Sequence, residues 1–168
     1  TRTAEEELDE LVRQADTAMY AAKASGKGRL RVFSPDLGAE MLAAQSLRSE
    51  LQLAVEREEF VVHYQPVMDL QRGSIVGVEA LVRWNHPARG LLPPSAFLEE
   101  AEMSGHIVHI DRWVLREACR QVRAWQRSVP GAAHLSVHVN VSARQLQHPG
   151  LAEEIGEVVR VSRLAPSD

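Results

Sequence analysis

Apolar positions in the first part of the chain recur every three or four residues, which is the spacing of an amphipathic helix. Between residues 8 and 22 these side chains return to one side, so we predict a helix there. Gly26 lies where a C-terminal cap would end it. The apolar run 30–33 predicts a short strand, which the Ser-Pro-Asp sequence at 34–36 stops. A second helix follows, with apolar residues between 47 and 55 on one face.

Two apolar runs joined by a short turn come next. Residues 60–67 and residues 74–84 each predict a strand, and the Gly-containing polar stretch 69–73 predicts the turn between them. A strand, a short turn and a second strand together predict an antiparallel hairpin. A Pro- and Gly-rich stretch at 87–94 then separates this hairpin from the rest of the chain.

The remainder of the chain predicts a helical crossover followed by a third strand. Two helical segments follow residue 94, and the longer one has apolar residues in register from 107 to 125. Pro-Gly at 130–131 ends it, residues 135–142 predict a strand, and a last helix begins near Pro149. A strand, a long helical crossover and a strand are the unit of a parallel sheet, so we predict that the second and third strands are parallel neighbours.

Each of the three predicted strands has one apolar and one polar face, because side chains alternate across a strand. The polar faces carry His63 and Gln65 in the first strand, Glu79, Leu81 and Arg83 in the second, and Ser136, His138, Asn140 and Ser142 in the third. One interpretation is a half-buried sheet with its polar side in water. The other is a barrel whose helices cover the apolar face while the polar residues line the interior or the mouth. The helical crossover favours the barrel, since parallel sheets are usually covered on both faces.

Glu79 and Asn140 are oxygen donors on these polar faces. Sites rich in oxygen suit Mg²⁺, Mn²⁺ or Ca²⁺ rather than zinc. Arg83 lies on the same face as Glu79, where its planar guanidinium could hold a phosphate. The chemistry that this combination favours is metal-assisted attack of water on a phosphodiester, although two ligands alone do not define a metal site.

Composition narrows the classes of partner. The net charge of −4 argues against sequence-independent binding to a nucleic acid polymer. Cys119 is the only cysteine, which fits a reducing, cytoplasmic location. No apolar run is long enough to span a bilayer, and no signal peptide is recognisable. Both ends read as positions inside a longer chain, so the parent protein could still be membrane-anchored through other domains.

Three motifs resemble the opening motifs of EAL domains, in the family's order and at plausible separations. They are HYQPV at 63–67, GVEALVRW at 77–84 and NVSARQL at 140–146. Residues 93–97 and 113–115 are also similar to the family pattern. The resemblance covers the chain from about Leu47 to its end.

This resemblance implies a modified (β/α)₈ barrel, of the TIM type, whose first strand runs against the others. It implies hydrolysis of cyclic di-GMP to the linear dinucleotide pGpG with Mg²⁺ or Mn²⁺. By similarity, Glu79 and Asn140 would be metal ligands. The residues expected to contact the dinucleotide are Gln65, Leu81, Pro94 and, through a phosphate, Arg83.

Residues 15–29 resemble the closing helix and turn of GGDEF domains. In that family, basic residues at the positions of Lys23 and Lys27 help to hold the triphosphate of GTP. The simpler interpretation is a solvated lysine at a helix end, where the helix dipole favours positive charge. The signature loop of the family is absent from this chain, so we expect no cyclase activity from it.

The expected fold is therefore α/β: an incomplete TIM-like barrel preceded by the last helix and strand of a GGDEF domain. The expected boundaries are 1–36 for the GGDEF end, 37–46 for a linker helix start, and 47–168 for the first half of the EAL domain. The resemblance implies that the parent protein is a phosphodiesterase. The family's later acidic motifs are missing from this chain, so we expect the isolated chain to be inactive. A non-catalytic cyclic di-GMP sensor or partner-binding module is the alternative. A homodimer of the intact parent is also expected by resemblance.

Overall fold

The computed structural model describes residues 3–24 and 30–165 of the 168. The chain divides into two compact units, Thr1–Glu50 and Leu51–Asp168. The predicted cap at Gly26 and the candidate residue Lys27 lie outside the described residues. Within the described part, no helix is both long enough and apolar enough to cross a bilayer.

The first unit consists of helix α1 and most of helix α2. Helix α1, Ala4–Ala24, begins with a reciprocal cap: Thr3 N donates to Glu6 Oε2 at 2.8 Å, and Glu6 N donates to Thr3 Oγ1 at 3.3 Å. Helix α2, Pro35–Glu56, begins directly after Ser34, whose Oγ accepts from Leu37 N at 3.2 Å. Proline is favoured at a first helical position because its missing N–H has no helical acceptor there anyway.

The predicted strand over 30–33 is wrong. These residues have no regular structure, and Leu30 and Val32 are 89% and 78% exposed. A short apolar run becomes a strand only when a neighbouring strand supplies backbone hydrogen bonds. No strand lies beside this run in the part of the chain that the structure describes.

The second unit is a sheet with helices packed on one face. Strands β1, Phe60–Asp69, and β2, Ser74–His86, form the predicted antiparallel hairpin. Strand β4, Ser136–Val139, pairs with β2 in the predicted parallel direction, through residues 77–80 of β2. The short strand β3, Gly90–Leu92, was not predicted and pairs antiparallel with the end of β2. Since β1 lies along one edge of β2, strands β3 and β4 share the other edge.

The remaining helices follow the predicted order with one addition. A 3₁₀ turn, Pro94–Ala96, leads into α3, Leu98–Ser104, and α4, Ile107–Ser128. The predicted break at residues 130–131 is confirmed by the end of α4. Helix α5, Ala143–Leu146, was not predicted, and α6, Leu151–Ser162, is the predicted last helix.

Helices α4 and α6 cover the apolar face of the sheet, as predicted. The buried residues Val78, Val122 and Val158 form one cluster with Cys119 and Leu164. A second group surrounds the end of β2, where the rings of Phe60, Trp84, Phe97 and Trp113 lie 5.7–6.3 Å apart. Packing on this face leaves the polar side chains of β1, β2 and β4 on the other.

Candidate functional site

A row of polar residues crosses the sheet on the face away from α4. Gln65 of β1 lies directly opposite Glu79 of β2, and Glu79 lies directly opposite His138 of β4. Directly opposite residues have their Cβ atoms about 5 Å apart. The alternation predicted for Gln65, Glu79 and His138 is confirmed by the strand register, whereas Asn140 and Ser142 lie beyond the end of β4.

Glu79 and Asn140 are in direct contact. The Asn140 Nδ2 donates a hydrogen bond of 2.8 Å to Glu79 Oε1, although 61 positions separate them in the chain. Asn140 follows the last residue of β4, which pairs with Ala80, so the parallel pairing of β4 with β2 brings Asn140 within reach of Glu79. The two residues that the sequence analysis selected as oxygen donors therefore lie side by side.

The segment after Asn140 is held in place by a half-buried carboxylate. Asp111 Oδ2 of α4 accepts a hydrogen bond from Ser142 N at 3.2 Å, and Ser142 Oγ accepts from Gln145 N to cap α5. Burial raises the pKa of Asp111 above its ordinary value, and hydrogen bonds from Ser142 oppose that shift. Asp111 thus fixes the backbone two residues beyond Asn140.

A cavity of about 260 Å³ opens beside this segment. Three residues selected from the sequence line it: Leu81, Pro94 and Asn140. The carboxylates of Glu102 and Asp111 line the same cavity. Two predicted contact residues and one predicted ligand therefore share one concave surface.

The other candidates occupy different surroundings. Arg83 lies two residues beyond Leu81 on β2 and is half-buried, and its Nη1 donates to the Val82 carbonyl at 2.8 Å. Gln65 is exposed on the polar face. Lys23 lies in the last turn of α1, in the first unit, where the C-terminal end of a helix dipole favours a cation. Lys27 falls outside the described residues.

The donor chemistry of Glu79 and Asn140 suits a hard divalent cation. A carboxylate and an amide oxygen are ligands that Mg²⁺ and Mn²⁺ prefer. In the present hydrogen bond the amide nitrogen of Asn140 faces Glu79. A half-turn of the amide would place two oxygens side by side, which a cation between them would stabilise. Within residues 3–24 and 30–165, no three His, Cys, Asp or Glu side chains form a cluster that could hold a metal. The described residues thus supply only part of such a site.

Sequence reasoning missed Asp111 and Glu102. A signal for Asp111 exists, because it lies on the same helical stripe as the apolar residues Ile107 and Val114. A carboxylate on the apolar face of a helix needs a hydrogen-bond donor, since an unpaired buried charge is costly. The donor is Ser142, 31 positions away, and periodicity within one helix cannot identify it.

Comparison with known proteins gives consistent matches. The model of the EAL domain family matches residues 48–168. The bifunctional diguanylate cyclase/cyclic di-GMP phosphodiesterase MucR of Pseudomonas aeruginosa is 42% identical over 158 residues, which are 94% of this chain. The cyclic di-GMP phosphodiesterase PdeR of Escherichia coli K12 is 41% identical over 150 residues, which are 89% of this chain. The chain spans only 23% and 22% of the length of these two relatives.

Solved structures agree with the sequence matches. The PaMucR phosphodiesterase in complex with c-di-GMP is similar with a TM-score of 0.68 and 44% identity, over 72% of this chain and 48% of that one. The mixed α/β unit at residues 51–168 therefore has the TIM-barrel-like EAL fold as its structural neighbour. Because the family match covers most of the chain, this protein belongs to the EAL domain family.

Proposed function

We propose that residues 47–168 supply the first half of a cyclic di-GMP phosphodiesterase site, in a protein that hydrolyses cyclic di-GMP to linear pGpG. The observation that carries the proposal is the 2.8 Å contact between Glu79 and Asn140. It brings together the carboxylate and the amide that the sequence motifs select as metal ligands. The relatives MucR and PdeR, which are named cyclic di-GMP phosphodiesterases, support the choice of substrate.

Each candidate residue has a distinct part in this proposal. Glu79 and Asn140 would hold Mg²⁺ or Mn²⁺, which when bound would activate water and neutralise phosphate charge. Gln65, Leu81 and Pro94 would contact the dinucleotide, and Pro94 and Leu81 already share a cavity with Asn140. The Arg83 guanidinium would turn from the Val82 carbonyl to a substrate phosphate, where two parallel hydrogen bonds are available to it.

The 168-residue chain by itself is expected to be inactive. Two oxygen ligands with a single negative charge between them hold a divalent cation weakly, because affinity for such ions rises with the number and charge of the oxygens. In this proposal the further acidic ligands come from a longer protein that contains this chain. A cytoplasmic location and a homodimer of that longer protein are parts of the same proposal.

We further propose that residues 1–36 are the end of a GGDEF domain. MucR supports this, since it is named as bifunctional and its match extends over 158 residues, more than residues 48–168 contain. In this proposal Lys23 is a remnant of a GTP phosphate site. The helix dipole alone accounts for a lysine there as well, so Lys23 does not support cyclase chemistry.

The test is a hydrolysis assay on the longer protein that contains this chain, with Mg²⁺ or Mn²⁺ present. We expect Glu79→Gln and Asn140→Ala each to reduce pGpG formation by at least about 100-fold, since even outer partners of a metal site contribute about 10- to 100-fold. Glu99→Gln removes an exposed carboxylate from α3 and is the matched control, expected to leave the rate unchanged.

The binding of labelled cyclic di-GMP to the same variants distinguishes the alternatives. Turnover in wild type, with loss in the two site variants only, supports the enzyme. Tight binding without any turnover in wild type would instead identify a sensor. If the wild type neither binds nor hydrolyses cyclic di-GMP, both roles are excluded and a partner-binding module remains.

A further inference from the structure

A groove between α4 and α6 lies outside the candidate site and is lined by several arginines. Its volume is about 690 Å³. One wall carries Arg116, Arg120, Arg123 and Arg127 of α4. Spacings of four, three and four residues put these side chains on one stripe of the helix, about 16 Å long at 1.5 Å per residue.

The floor of the groove is apolar. It consists of Ala124 on α4 with Val158 and Val161 on α6. Val158 is buried in the core, whereas Val161 is 66% exposed. A concave apolar strip with a charged edge is the surface to which an amphipathic helix binds.

Positive charge is left over after the internal ion pairs of the groove are formed. Glu154 accepts from Arg112 at 2.9 Å and lies 3.7 Å from Arg116, while Glu157 pairs with Arg160 at 2.6 Å. Both carboxylates that line the groove are therefore already neutralised.

Arg123 and Arg127 have no carboxylate partner among the described residues. Arg123 donates only to the amide of Gln126, at 3.0 Å, and its buried Nε has no acceptor in the described part of the chain. A carboxylate that entered the groove could supply the acceptor that this Nε lacks. The helix dipole explains a cation at Arg127, in the last turn of α4, but it does not explain a stripe of three turns.

We propose that this groove binds an acidic amphipathic helix of a partner protein. Apolar residues of the partner would cover Val161, and its carboxylates would pair with Arg123 and Arg127. A nucleotide fits less well, because the described lining offers no aromatic ring for stacking and no amide to read a base edge. The inference is independent of the proposed phosphodiesterase chemistry.

The experiment measures binding of a synthetic helical peptide to the 168-residue chain by fluorescence anisotropy. The peptide has about 18 residues, long enough to form a helix, with leucines on one face and glutamates beside them. A second peptide carries lysine in place of every glutamate. We expect the acidic peptide to bind, its affinity to fall steeply with added salt, and the lysine peptide not to bind.

Variants test the residues. Arg123→Gln with Arg127→Gln should weaken binding by about tenfold or more, and Arg127→Gln alone should weaken it measurably without disturbing an internal contact. Val161→Asp should also weaken it about tenfold. The matched control, Arg13→Gln with Arg72→Gln, removes the same charge from side chains that are 75% and 79% exposed elsewhere. It should leave affinity unchanged.

Three results would overturn the proposal: no binding of the acidic peptide, equal affinity of the lysine peptide, or full affinity in the double arginine variant. Inorganic triphosphate serves as a further probe. Binding of triphosphate with no binding of the peptide would identify a small-anion site and would equally reject the partner helix.

Discussion

Tyr64 is a residue whose hydroxyl is buried without a hydrogen-bond partner in the described chain. Its ring packs edge-on against Trp125, with centroids 4.8 Å apart. Burial, reinforced by the nearby charge of Glu117, raises the pKa of Tyr64 from 10.0 to about 12. The phenol is therefore held neutral by its surroundings and contributes its ring to the core.

We expect Tyr64→Phe to leave the free energy of unfolding unchanged or to raise it by up to about 1 kcal/mol, since the hydroxyl makes no bond that would be lost. The pH dependence has a definite sign. Because the folded pKa is the higher one, stability is fully present below pH 10 and is lost as pH rises from 10 to about 12. Tyr64→Phe should remove that loss.

Chemical denaturation at several pH values measures the stability effect. The sequence has two tyrosines, so phenolate absorbance in a Tyr20→Phe variant follows Tyr64 alone. Ionisation of that variant near pH 10 would contradict the burial argument.

Asp111 gives a second pH effect, at the acid end. Since its folded pKa is raised above 3.8, the folded state holds the proton more tightly than the unfolded state. Wild type should therefore gain stability relative to Asp111→Asn as pH falls through the raised pKa towards 3.8. Asp111→Ala should also cost about 1–3 kcal/mol near neutral pH, because it leaves the Ser142 N–H without its acceptor. Denaturant titrations of the three proteins across this range measure both effects, and a difference of the opposite slope would refute the assignment.

The sequence could predict the relative positions of residues where these depend on the alternation of side chains along strands. Glu79 and Asn140 could be placed close together from period-two spacing and the order of strands, although β4 ends one residue before Asn140. Asp111 could not, because its partner Ser142 is set by how α4 packs against the segment after β4. Arg83 shows the same limit, since alternation gives its face and only packing gives its contact with Val82.

At the scale of elements, Gly77 permits the close approach of β4 to β2. A Cβ at this position would overlap the Ser136 hydroxyl and would come within 3.1 Å of the Ser136 carbonyl oxygen. That hydroxyl donates to the Val76 carbonyl at 3.1 Å, so both the backbone and the side chain of Ser136 are held against β2. The parallel pairing that carries Asn140 to Glu79 thus depends on a glycine.

We expect Gly77→Ala to lower the free energy of unfolding by about 1–3 kcal/mol through this crowding. Gly156→Ala in α6 is the matched control, because no atom lies within 4 Å of its new Cβ. It should instead stabilise the protein by up to about 1 kcal/mol through helix propensity. Thermal melts of both variants measure the contrast, and two equal shifts would show that Gly77 has no special role.

Most elements could be predicted, and the failures have physical causes. The hairpin, the parallel pair and α4 and α6 follow from periodicity and turn residues, because their patterns extend over many positions. Strand β3 is too short, at three residues, for any period to be visible. The run 30–33 has strand composition, but nothing in the described chain pairs with it.

At the scale of the whole molecule, the boundary between the two compact units falls inside α2, after Glu50. Leu51 and Ala54, beyond that boundary, are fully buried. Leu42, before it, is 70% exposed. Leu37 is buried at the start of the helix, no residue from 38 to 50 is buried, and the helix becomes part of the second unit's core from Leu51 onwards.

Leu51→Ala should lower the free energy of unfolding of the second unit by about 2–5 kcal/mol, as for other buried leucines. Leu42→Ala changes an exposed position of the same helix and should alter stability by less than about 0.5 kcal/mol. Tryptophan fluorescence during urea unfolding reports on the second unit alone, since Trp84, Trp113 and Trp125 all lie in it. Similar midpoints for Leu51→Ala and wild type would place Leu51 outside the core.

The separation of 61 positions between Glu79 and Asn140 bears on the order of folding. Gln65 meets Glu79 through a hairpin, which closes a short loop quickly and at small entropic cost. Asn140 arrives only after the whole crossover, with its longest helix, has been laid down, and contacts that are distant in sequence form slowly. The contact between Glu79 and Asn140 would consequently be among the last features to form, so a probe of this contact would report that the rest of the sheet and its helices are already in place.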